Sequence, residues 1–226
     1  MGGVADQGGT TAQPPRGRVA KRQAITTAAR AVFGRDGYTR AGIEVIAAEA
    51  GVSTRTIYNH FDGKERLFAA VIEESSVQVA GALVRLIDDH LDPVAGAAGL
   101  EPALVALARA WAAVPRTEFA AHFAVVRQLQ AEATHLPPAL LEVWNDAGPR
   151  RTEAALARHL RALDGRGIVA VDDPVLAADH YLLLTLGALD ARSDGGATPL
   201  GDAESARVIT AGVRAFLGGY LPRPAP

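Results

Sequence analysis

A short segment between residues 50 and 62 concentrates polar side chains that donate and accept hydrogen bonds. It is AGVSTRTIYNHFD, and no acidic residue occurs between Glu49 and Asp62. Val52, Ile57 and Phe61 recur at helical spacing and predict one apolar face. The opposite face then carries Thr54, Arg55, Thr56, Tyr58, Asn59 and His60. Hydroxyl, guanidinium and imidazole groups without a carboxylate beside them suit the recognition of phosphates and base edges.

Two short helices must position these polar side chains. Residues 43–50 predict a helix with Ile43, Ile46 and Ala47 on its inward side, and Gly51 ends it. Ser53 then predicts an N-cap for the helix that carries the polar face. This is the pattern of a helix-turn-helix, whose second helix lies in the major groove of DNA. A small helical hairpin with a polar face formed by chance is the alternative.

The rest of the chain predicts further helices. The stretch RGRVAKRQAITTAARAVFGRDGY buries one face of a first helix that ends near Gly37. Asp62 and Glu65 predict a capping box for a long helix that runs to about Leu91. Later helices are predicted near 101–114, 117–134, 149–163, 174–192 and 202–218, and a short one that begins at Pro137 and Pro138 contains Leu140, Leu141 and Trp144. No segment predicts a strand long enough for a sheet, so the predicted class is all-α.

Charge is distributed unevenly along the 226 residues. Residues 1–70 contain ten Lys or Arg against six Asp or Glu, a net charge of +4, and the remainder contains thirteen against nineteen, a net charge of −6. A basic front on an acidic body favours phosphate binding at the front, although chance fluctuation gives the same pattern. Residues 1–15 lack an apolar signal-peptide core and predict a disordered tail. No segment predicts a membrane span, and the expected location is the cytoplasm.

The sequence lacks the residues and motifs that disulfide formation, catalysis and metal binding usually require. There is no cysteine, which excludes disulfides and thiol chemistry. The sequence contains no Gly-rich phosphate loop, no Gly-x-Ser-x-Gly elbow and no defined pair of carboxylates, so no motif predicts an enzyme. The six histidines lack metal-ligand spacing. We therefore expect no catalytic residue, no metal and no cofactor.

The sequence resembles the TetR (tetracycline repressor) family of transcriptional regulators. The resemblance depends on RQAITTAARAVFGRDGY and on IEVIAAEAGVSTRTIYNHFDGKERLF, which match in order over about 50 residues. It implies an N-terminal three-helix DNA-binding domain over 16–64. It also implies a larger helical domain over 65–226 for ligand binding and dimerisation. In that second domain only the helical organisation and the stretches RQLQAEATHLPPAL and DPVLAADHYLL are similar.

The resemblance also assigns roles on the DNA side. Thr54 and Arg55 are similar in position to base readers, whereas the expected phosphate contacts are Thr56, Tyr58, His60 and Lys64. Asn59 suits either role. One departure is Gly42, where the family commonly has a Ser or Thr that caps the helix and contacts phosphate; Thr39 or Arg40 could compensate. Upstream, Arg16, Arg18, Lys21 and Arg22 form a basic arm. Arg16 and Arg18 suit a minor groove or simply a soluble tail, whereas Arg22 lies inside the first helix and is expected to be structural or to face phosphate.

One recognition helix reads only a few base pairs of double-stranded DNA. We therefore expect a homodimer that binds a near-palindromic operator with two recognition helices. The resemblance places its interface on the last two helices, with Leu182, Thr185, Leu186, Leu189, Ile209, Val213 and Phe216 as candidates. Each of these residues suits the core of a single chain equally well.

The expected partner in regulation is a small-molecule effector of unknown identity. Its candidate contacts are Trp111, Phe119, His122, Phe123, Arg127, Trp144 and Tyr181, although these aromatics also suit a core built of Ala and Leu. The resemblance implies that ligand binding moves the helix that begins at Lys64 and lowers operator affinity. A DNA-binding scaffold without a ligand is the alternative.

Overall fold

The computed structural model describes residues 16–195 and 197–222. The helices are α1 (Arg16–Arg40), α2 (Ile43–Glu49), α3 (Thr54–Tyr58), α4 (Gly63–Leu91), α5 (Ala97–Ala113), α6 (Ala120–Ala131), α7 (Pro138–Ala147), α8 (Pro149–Asp164), α9 (Pro174–Leu182), α10 (Ala188–Arg192) and α11 (Asp202–Tyr220). Short 3₁₀ turns occur at Val114–Arg116 and Ala133–His135, and a π-helical turn at Leu183–Gly187 joins α9 to α10. The described residues form no strand, and the predicted all-α class is confirmed. The predicted tail at 1–15 lies outside the described residues.

The N-terminal helices share one apolar core with two helices from the middle of the chain. Ile25 and Phe33 of α1 pack with Ile46 of α2, Ile57 of α3 and Phe68 of α4. The same cluster continues into α6 and α7 through Val125, Val126, Leu129, Leu136 and Leu140. The boundary predicted at residue 64 is therefore not a boundary in packing, because α4, α6 and α7 help to bury the first three helices.

Helix α4 connects this first core to a second one. Its first half supplies Leu67, Phe68, Val71 and Ile72 to the N-terminal core, and Ile87 and Leu91 belong to the second core. By length and composition α4 is apolar enough to cross a membrane, but half of its most apolar stretch is buried within the protein. The buried apolar residues of α4 thus have partners in the fold, whereas Val77 is exposed.

The capping box predicted at the start of α4 is wrong. Asp62 is the N-cap residue, but its side chain makes no capping hydrogen bond. Its backbone lies at φ −78°, ψ 72° rather than in the extended conformation usual for a capping residue. The chain then enters α4 through Gly63 at φ +87°, a conformation that favours glycine.

The second core is built from α5, α8, α9 and α11. Tyr181 is fully buried in it, donates its hydroxyl to the carbonyl oxygen of Leu104 at 2.7 Å and packs edge-on against Phe216. Helix α11 lies very close to the π-helical turn: a Cβ added at Gly212 would come within 2.0 Å of the Leu184 carbonyl oxygen. Glycine is therefore required at this helix crossing.

Four of the seven predicted dimer residues lie in the core of the single chain. Thr185, Ile209, Val213 and Phe216 are buried inside the single chain, so their side chains are not available to a partner. Leu182, Leu186 and Leu189 are half-buried and remain predictions. The same segment instead exposes Val175, Leu176, Leu183 and Leu184, with Leu183 at 65%. The π-helical turn inserts an extra residue, so the side chains after it leave the faces that a regular helical period would give them.

Candidate nucleic-acid interface

Helix α3 is short and depends on its flanking residues for its position. Gly51 turns the chain at φ +66°, which few other residues adopt readily. Ser53 caps α3 as predicted, because its Oγ accepts a hydrogen bond from the backbone N–H of Thr56 at 3.2 Å. Ile57 and Phe61 then insert into the N-terminal core with at most 5% exposure. The predicted inward face of the second helix is confirmed.

The polar side chains on the outward face of α3 differ in their exposure to solvent and in their hydrogen-bond partners. Arg55, Tyr58 and Asn59 are exposed, and Tyr58 is 59% exposed despite its large apolar ring. Thr54, Thr56 and His60 are half-buried. The Thr56 hydroxyl lies 2.9 Å from Ser53 Oγ, so this side chain already takes part in the cap. Arg55 and Asn59 are thus the polar side chains of α3 that are freest to reach a base.

The electrostatic field beside α3 is positive. Burial lowers the pKa of His60, and the positive charges of Arg18, Arg22 and Lys21 lower it further. These three residues come from the first turns of α1, so the basic arm and the end of α3 lie on the same side of the molecule. Glu49, at the end of α2, is paired with Arg35 at 2.9 Å, which offsets its negative charge.

The residues of the basic arm differ in their surroundings. Arg22 pairs with Glu74 at 2.8 Å, and its guanidinium carbon lies 4.5 Å from the centre of the Phe61 ring. Arg22 therefore holds α1 against α4. Arg18 and Lys21 are exposed, and neither forms an ion pair with any residue in the described ranges. The Arg16 side chain lies outside the described part of the chain.

Lys64, the predicted phosphate contact at the start of α4, is partly engaged within the chain. Its Nζ donates a hydrogen bond to the carbonyl oxygen of Thr39 at 3.0 Å and lies 4.8 Å from the centre of the Tyr38 ring. Burial lowers the pKa of Lys64, and the charge of Glu132 opposes that shift. An ammonium group has three donors, so two remain for a phosphate.

The start of α2 lacks a side-chain cap, as the glycine there predicts. Gly42 is the N-cap residue and makes no side-chain hydrogen bond. Neither residue considered as a substitute is fully free: the Thr39 hydroxyl donates to Glu132 Oε2 at 2.7 Å, and Arg40 Nε donates to the Asp36 carbonyl oxygen at 3.0 Å. Sequence reasoning missed Glu132, which is 93 residues from Thr39 along the chain.

Four of the seven predicted effector contacts lie together. Phe119, Phe123 and Trp111 pack around Val79, Leu83 and Val114, and the His122 ring lies edge-on to Phe123 at 5.2 Å. His122 is buried, its Nδ1 lies 2.9 Å from Ser75 Oγ, and burial together with the charge of Arg30 lowers its pKa to about 4.

The other three predicted effector contacts lie elsewhere. Trp144 packs against the N-terminal core, Tyr181 is inside the second core, and Arg127 is exposed on α6. The seven residues therefore do not form one cluster, because long-range packing separates aromatics that the sequence alone cannot distinguish.

Two open depressions occur on the surface away from these residues. One of about 350 Å³ lies around His90, Val94 and Ala103, and another of about 540 Å³ lies between α1 and the end of α2. None of the predicted effector contacts lines either depression. Among the described residues, no group of three or more His, Asp or Glu side chains is arranged to hold a metal ion.

Comparisons with known protein families agree with this geometry. The family model for bacterial regulatory proteins of the tetR family matches residues 25–71, which include the helix-turn-helix. The model for the C-terminal domain of AefR-like transcriptional repressors matches residues 102–222, more than half of the chain.

The chain belongs to the TetR family. It is therefore a transcriptional regulator with an N-terminal helix-turn-helix, and the family it shares consists of regulators rather than enzymes. TetR regulators bind DNA operators, typically as dimers.

Solved structures of other TetR-family proteins are similar over nearly the whole chain. A transcriptional regulator from Mesorhizobium loti MAFF303099 is 30% identical with a TM-score of 0.78, covering 92% of this chain and 100% of its own. The flavonoid-responsive regulator FrrA is also 30% identical, with a TM-score of 0.66 and coverage of 90% and 98%. FadR from Bacillus subtilis, in complex with stearoyl-CoA, is 19% identical at a TM-score of 0.64, covering 87% and 98%, and shares the fold alone. No curated protein matches the sequence.

Proposed function

We propose that this TetR-family protein is a repressor that binds a near-palindromic operator as a homodimer and is released from it by a small molecule. The observation that carries the proposal is the exposed face of α3. Arg55, Tyr58 and Asn59 are presented there on a helix that Ile57 fixes in the core. The field beside this face is positive, as binding to phosphates requires. Action in the cytoplasm, where operator DNA is accessible, is part of the proposal.

On DNA, Arg55 reads a base and the surrounding groups hold the backbone. A guanidinium group presents a planar pair of donors to O6 and N7 of guanine. Tyr58 and the remaining protons of Lys64 provide contacts to phosphate, and Asn59 is free to contact a base or a phosphate. Thr54 lies at the first position of α3 next to Arg55. Thr56 and His60 contribute less, because both are half-buried and Thr56 takes part in the cap.

Dimerisation is proposed through the exposed apolar face of α9 and the π-helical turn. Val175, Leu176, Leu183 and Leu184 are all exposed there, and Leu182, Leu186 and Leu189 lie half-buried beside them. A helix face with several exposed leucines is an unfavourable surface for a monomer in water. Packing against a second copy would cover it and place two recognition helices on one duplex.

Effector binding is proposed at the aromatic cluster of Trp111, Phe119, His122 and Phe123. The FrrA relative is flavonoid-responsive, and aromatic walls with a neutral imidazole suit a ligand with apolar rings and a hydrogen-bonding group. A ligand must bind the two conformations of the dimer unequally to change operator affinity.

A ligand-independent DNA-binding regulator is the second candidate. One observation favours it: His122 already has a partner in Ser75, and the aromatic cluster packs against buried Val79, Leu83 and Val114. A thermal-shift screen with aromatic metabolites and lipophilic drugs separates the two candidates. A ligand that raises the melting temperature and lowers operator affinity supports the released repressor, and no such ligand across the screen supports the second candidate.

Selection of bound duplexes from random DNA tests the function most simply. The proposal expects near-palindromic sequences with half-sites about one turn of DNA apart, about 34–36 Å. Enrichment of isolated half-sites would contradict the dimer, and no enrichment at low salt would contradict sequence-specific binding.

A further inference from the structure

The last turn of α1, which follows a kink at Gly37, is held through Thr39 by residues of α4 and of the end of α6. Thr39 donates its backbone N–H and its hydroxyl to Glu132 Oε2, at 2.9 Å and 2.7 Å. Its carbonyl oxygen accepts a hydrogen bond from Lys64 Nζ at 3.0 Å. Glu132 follows the last residue of α6, and Lys64 lies in the first turn of α4. All the hydrogen-bonding groups of Thr39 are thus engaged.

The backbone around Thr39 is shaped to receive the Glu132 carboxylate. Gly37 lies at φ +79°, and a Cβ added there would come within 2.0 Å of Glu132 Oε1. One oxygen of the carboxylate therefore rests against Gly37 while the other binds Thr39. Earlier in the same helix pair, a Cβ at Gly34 would lie 3.1 Å from the Ala124 side chain. Two glycines let α1 and α6 approach closely along their length.

Helices α2 and α3 pack into the N-terminal core through Ile46 and Ile57, and short segments join them to α1 and α4. Ala41 and Gly42 separate α1 from α2, and α4 begins at Gly63. Glycine permits a wide range of backbone angles at both places. The Glu132–Thr39 hydrogen bonds restrain the last turn of α1 just before the first segment, and Lys64 joins that turn to the start of α4.

From this geometry we propose that Glu132 is a positioning residue for DNA recognition. It fixes the end of α1 to the end of α6 and so sets the orientation in which the following helices α2 and α3 meet DNA. Helix α6 begins at the aromatic cluster around Phe119 and Phe123 and ends at this contact. The contact therefore connects the proposed effector region to the recognition helix. The inference rests on the proposed DNA-binding function.

Whether substitution of Glu132 weakens or strengthens DNA binding distinguishes a positioning role from a purely electrostatic one. Glu132 is close enough to Lys64 to raise its pKa, and Lys64 is a proposed phosphate contact. Removing a negative charge from such a place strengthens DNA binding if charge is all that matters. Loss of a positioning contact weakens binding instead, because the recognition helix then samples orientations that do not fit the groove.

The test measures operator affinity by fluorescence anisotropy for the full-length protein and its variants, with a duplex obtained by selection. Glu132→Ala should bind about tenfold more weakly, since it removes two hydrogen bonds to a charged acceptor. Glu132→Gln should bind nearly as well as the wild type, because one amide oxygen can accept both hydrogen bonds. Glu118→Ala is the matched control: this exposed carboxylate makes no hydrogen bond or ion pair with the residues that the structure describes. It should bind no more weakly than the wild type.

A double-mutant cycle of Glu132→Ala and Thr39→Ala separates loss of the contact from a general loss of folding stability. Thr39→Ala removes only the hydroxyl hydrogen bond and should weaken binding severalfold, yet add nothing in the Glu132→Ala background. Equal or tighter binding by Glu132→Ala, or Glu132→Gln as weak as Glu132→Ala, would overturn the positioning role. If the wild type itself binds no operator, the proposed function fails; if it binds and the Glu132 variants are unaffected, only this inference fails.

Discussion

Individual polar side chains at the proposed DNA surface have distinct tasks because their surroundings differ. Arg55 is exposed and its charge is not paired with any described residue, so its donors are available to a base. Arg22, although basic and nearby, is committed to Glu74 and the Phe61 ring. Lys64 has one proton engaged with Thr39. Residue type alone does not reveal these differences, because they arise from contacts between helices.

Lys64→Ala should weaken binding to all DNA sequences about equally. It removes one phosphate contact, so the slope of log affinity against log salt should decrease in magnitude by about one. Titrations at several salt concentrations with the selected duplex and an unrelated one measure this. Arg109→Ala, which removes an exposed charge from the remote helix α5, serves as the control. A change in base preference by Lys64→Ala would contradict its role as a phosphate contact.

His122 should make the protein less stable in mild acid. Burial lowers its pKa to about 4 from 6.5, so between these values the unfolded chain binds a proton that the folded chain does not. Stability contributed by neutral His122 is therefore lost as the pH falls through 6.5 toward 4. From pH 7 to pH 5 the wild type should lose about 2 kcal/mol more stability than His122→Asn.

Urea unfolding at both pH values measures this difference. His135→Asn is the control, because His135 is exposed, and it should keep the pH dependence of the wild type. An identical loss in the wild type and in His122→Asn would show that His122 is not buried in its neutral form.

At the scale of helices, the crossing of α11 over the π-helical turn sets the geometry of the C-terminal region. Gly212 allows the backbone of α11 to touch the Leu184 carbonyl oxygen. The same turn directs Thr185 inward and leaves Leu183 exposed. A regular helix here would place a different set of leucines on the surface.

Gly212→Ala should destabilise the protein by about 2 kcal/mol or more. The added methyl group would overlap the Leu184 carbonyl oxygen, so α11 must move away from the core. Chemical unfolding measures the loss. Gly218→Ala in the same helix meets no atom within 4 Å and should be neutral or slightly stabilising, because alanine favours helix. Similar stabilities for the two variants would contradict the close crossing.

The helices and the inward face of α3 could be predicted because their signals are local. Ser53, Ile57 and Phe61 lie within nine residues, and capping and helical period act over that range. The split between core and interface could not be predicted, since Val213 and Leu183 are both apolar side chains on helices. Likewise, Glu132 and Thr39 meet only through the packing of α6 on α1. Long-range packing determines these features, and one sequence carries no local signal for it.

In the whole molecule, the exposed basic residues and the exposed apolar surface come from opposite ends of the sequence. The basic residues that lower the pKa of His60 belong to α1, whereas the exposed leucines belong to α9 and the π-helical turn. A dimer formed through the leucines would present two basic surfaces to one duplex. The net charge of −6 over residues 71–226 keeps the rest of the protein from attracting DNA.

Leu183→Glu should convert the protein to a monomer in solution. It places a charge in the proposed apolar interface, where burial of an unpaired carboxylate is unfavourable, and it should also reduce operator affinity at least about tenfold. Light scattering after size exclusion gives the mass. Ala139→Glu, at an exposed site on α7, adds the same charge and should remain dimeric. A dimeric Leu183→Glu would show that the interface lies elsewhere.

The most direct measurement compares the base preferences of the wild type and Arg55→Ala by parallel selection from random duplex DNA. We expect near-palindromic sites for the wild type. For Arg55→Ala we expect the preference at one position in each half-site to relax by about 1–3 kcal/mol while the other positions are kept. Identical profiles for the two proteins would contradict the claim that the exposed face of α3 reads DNA bases.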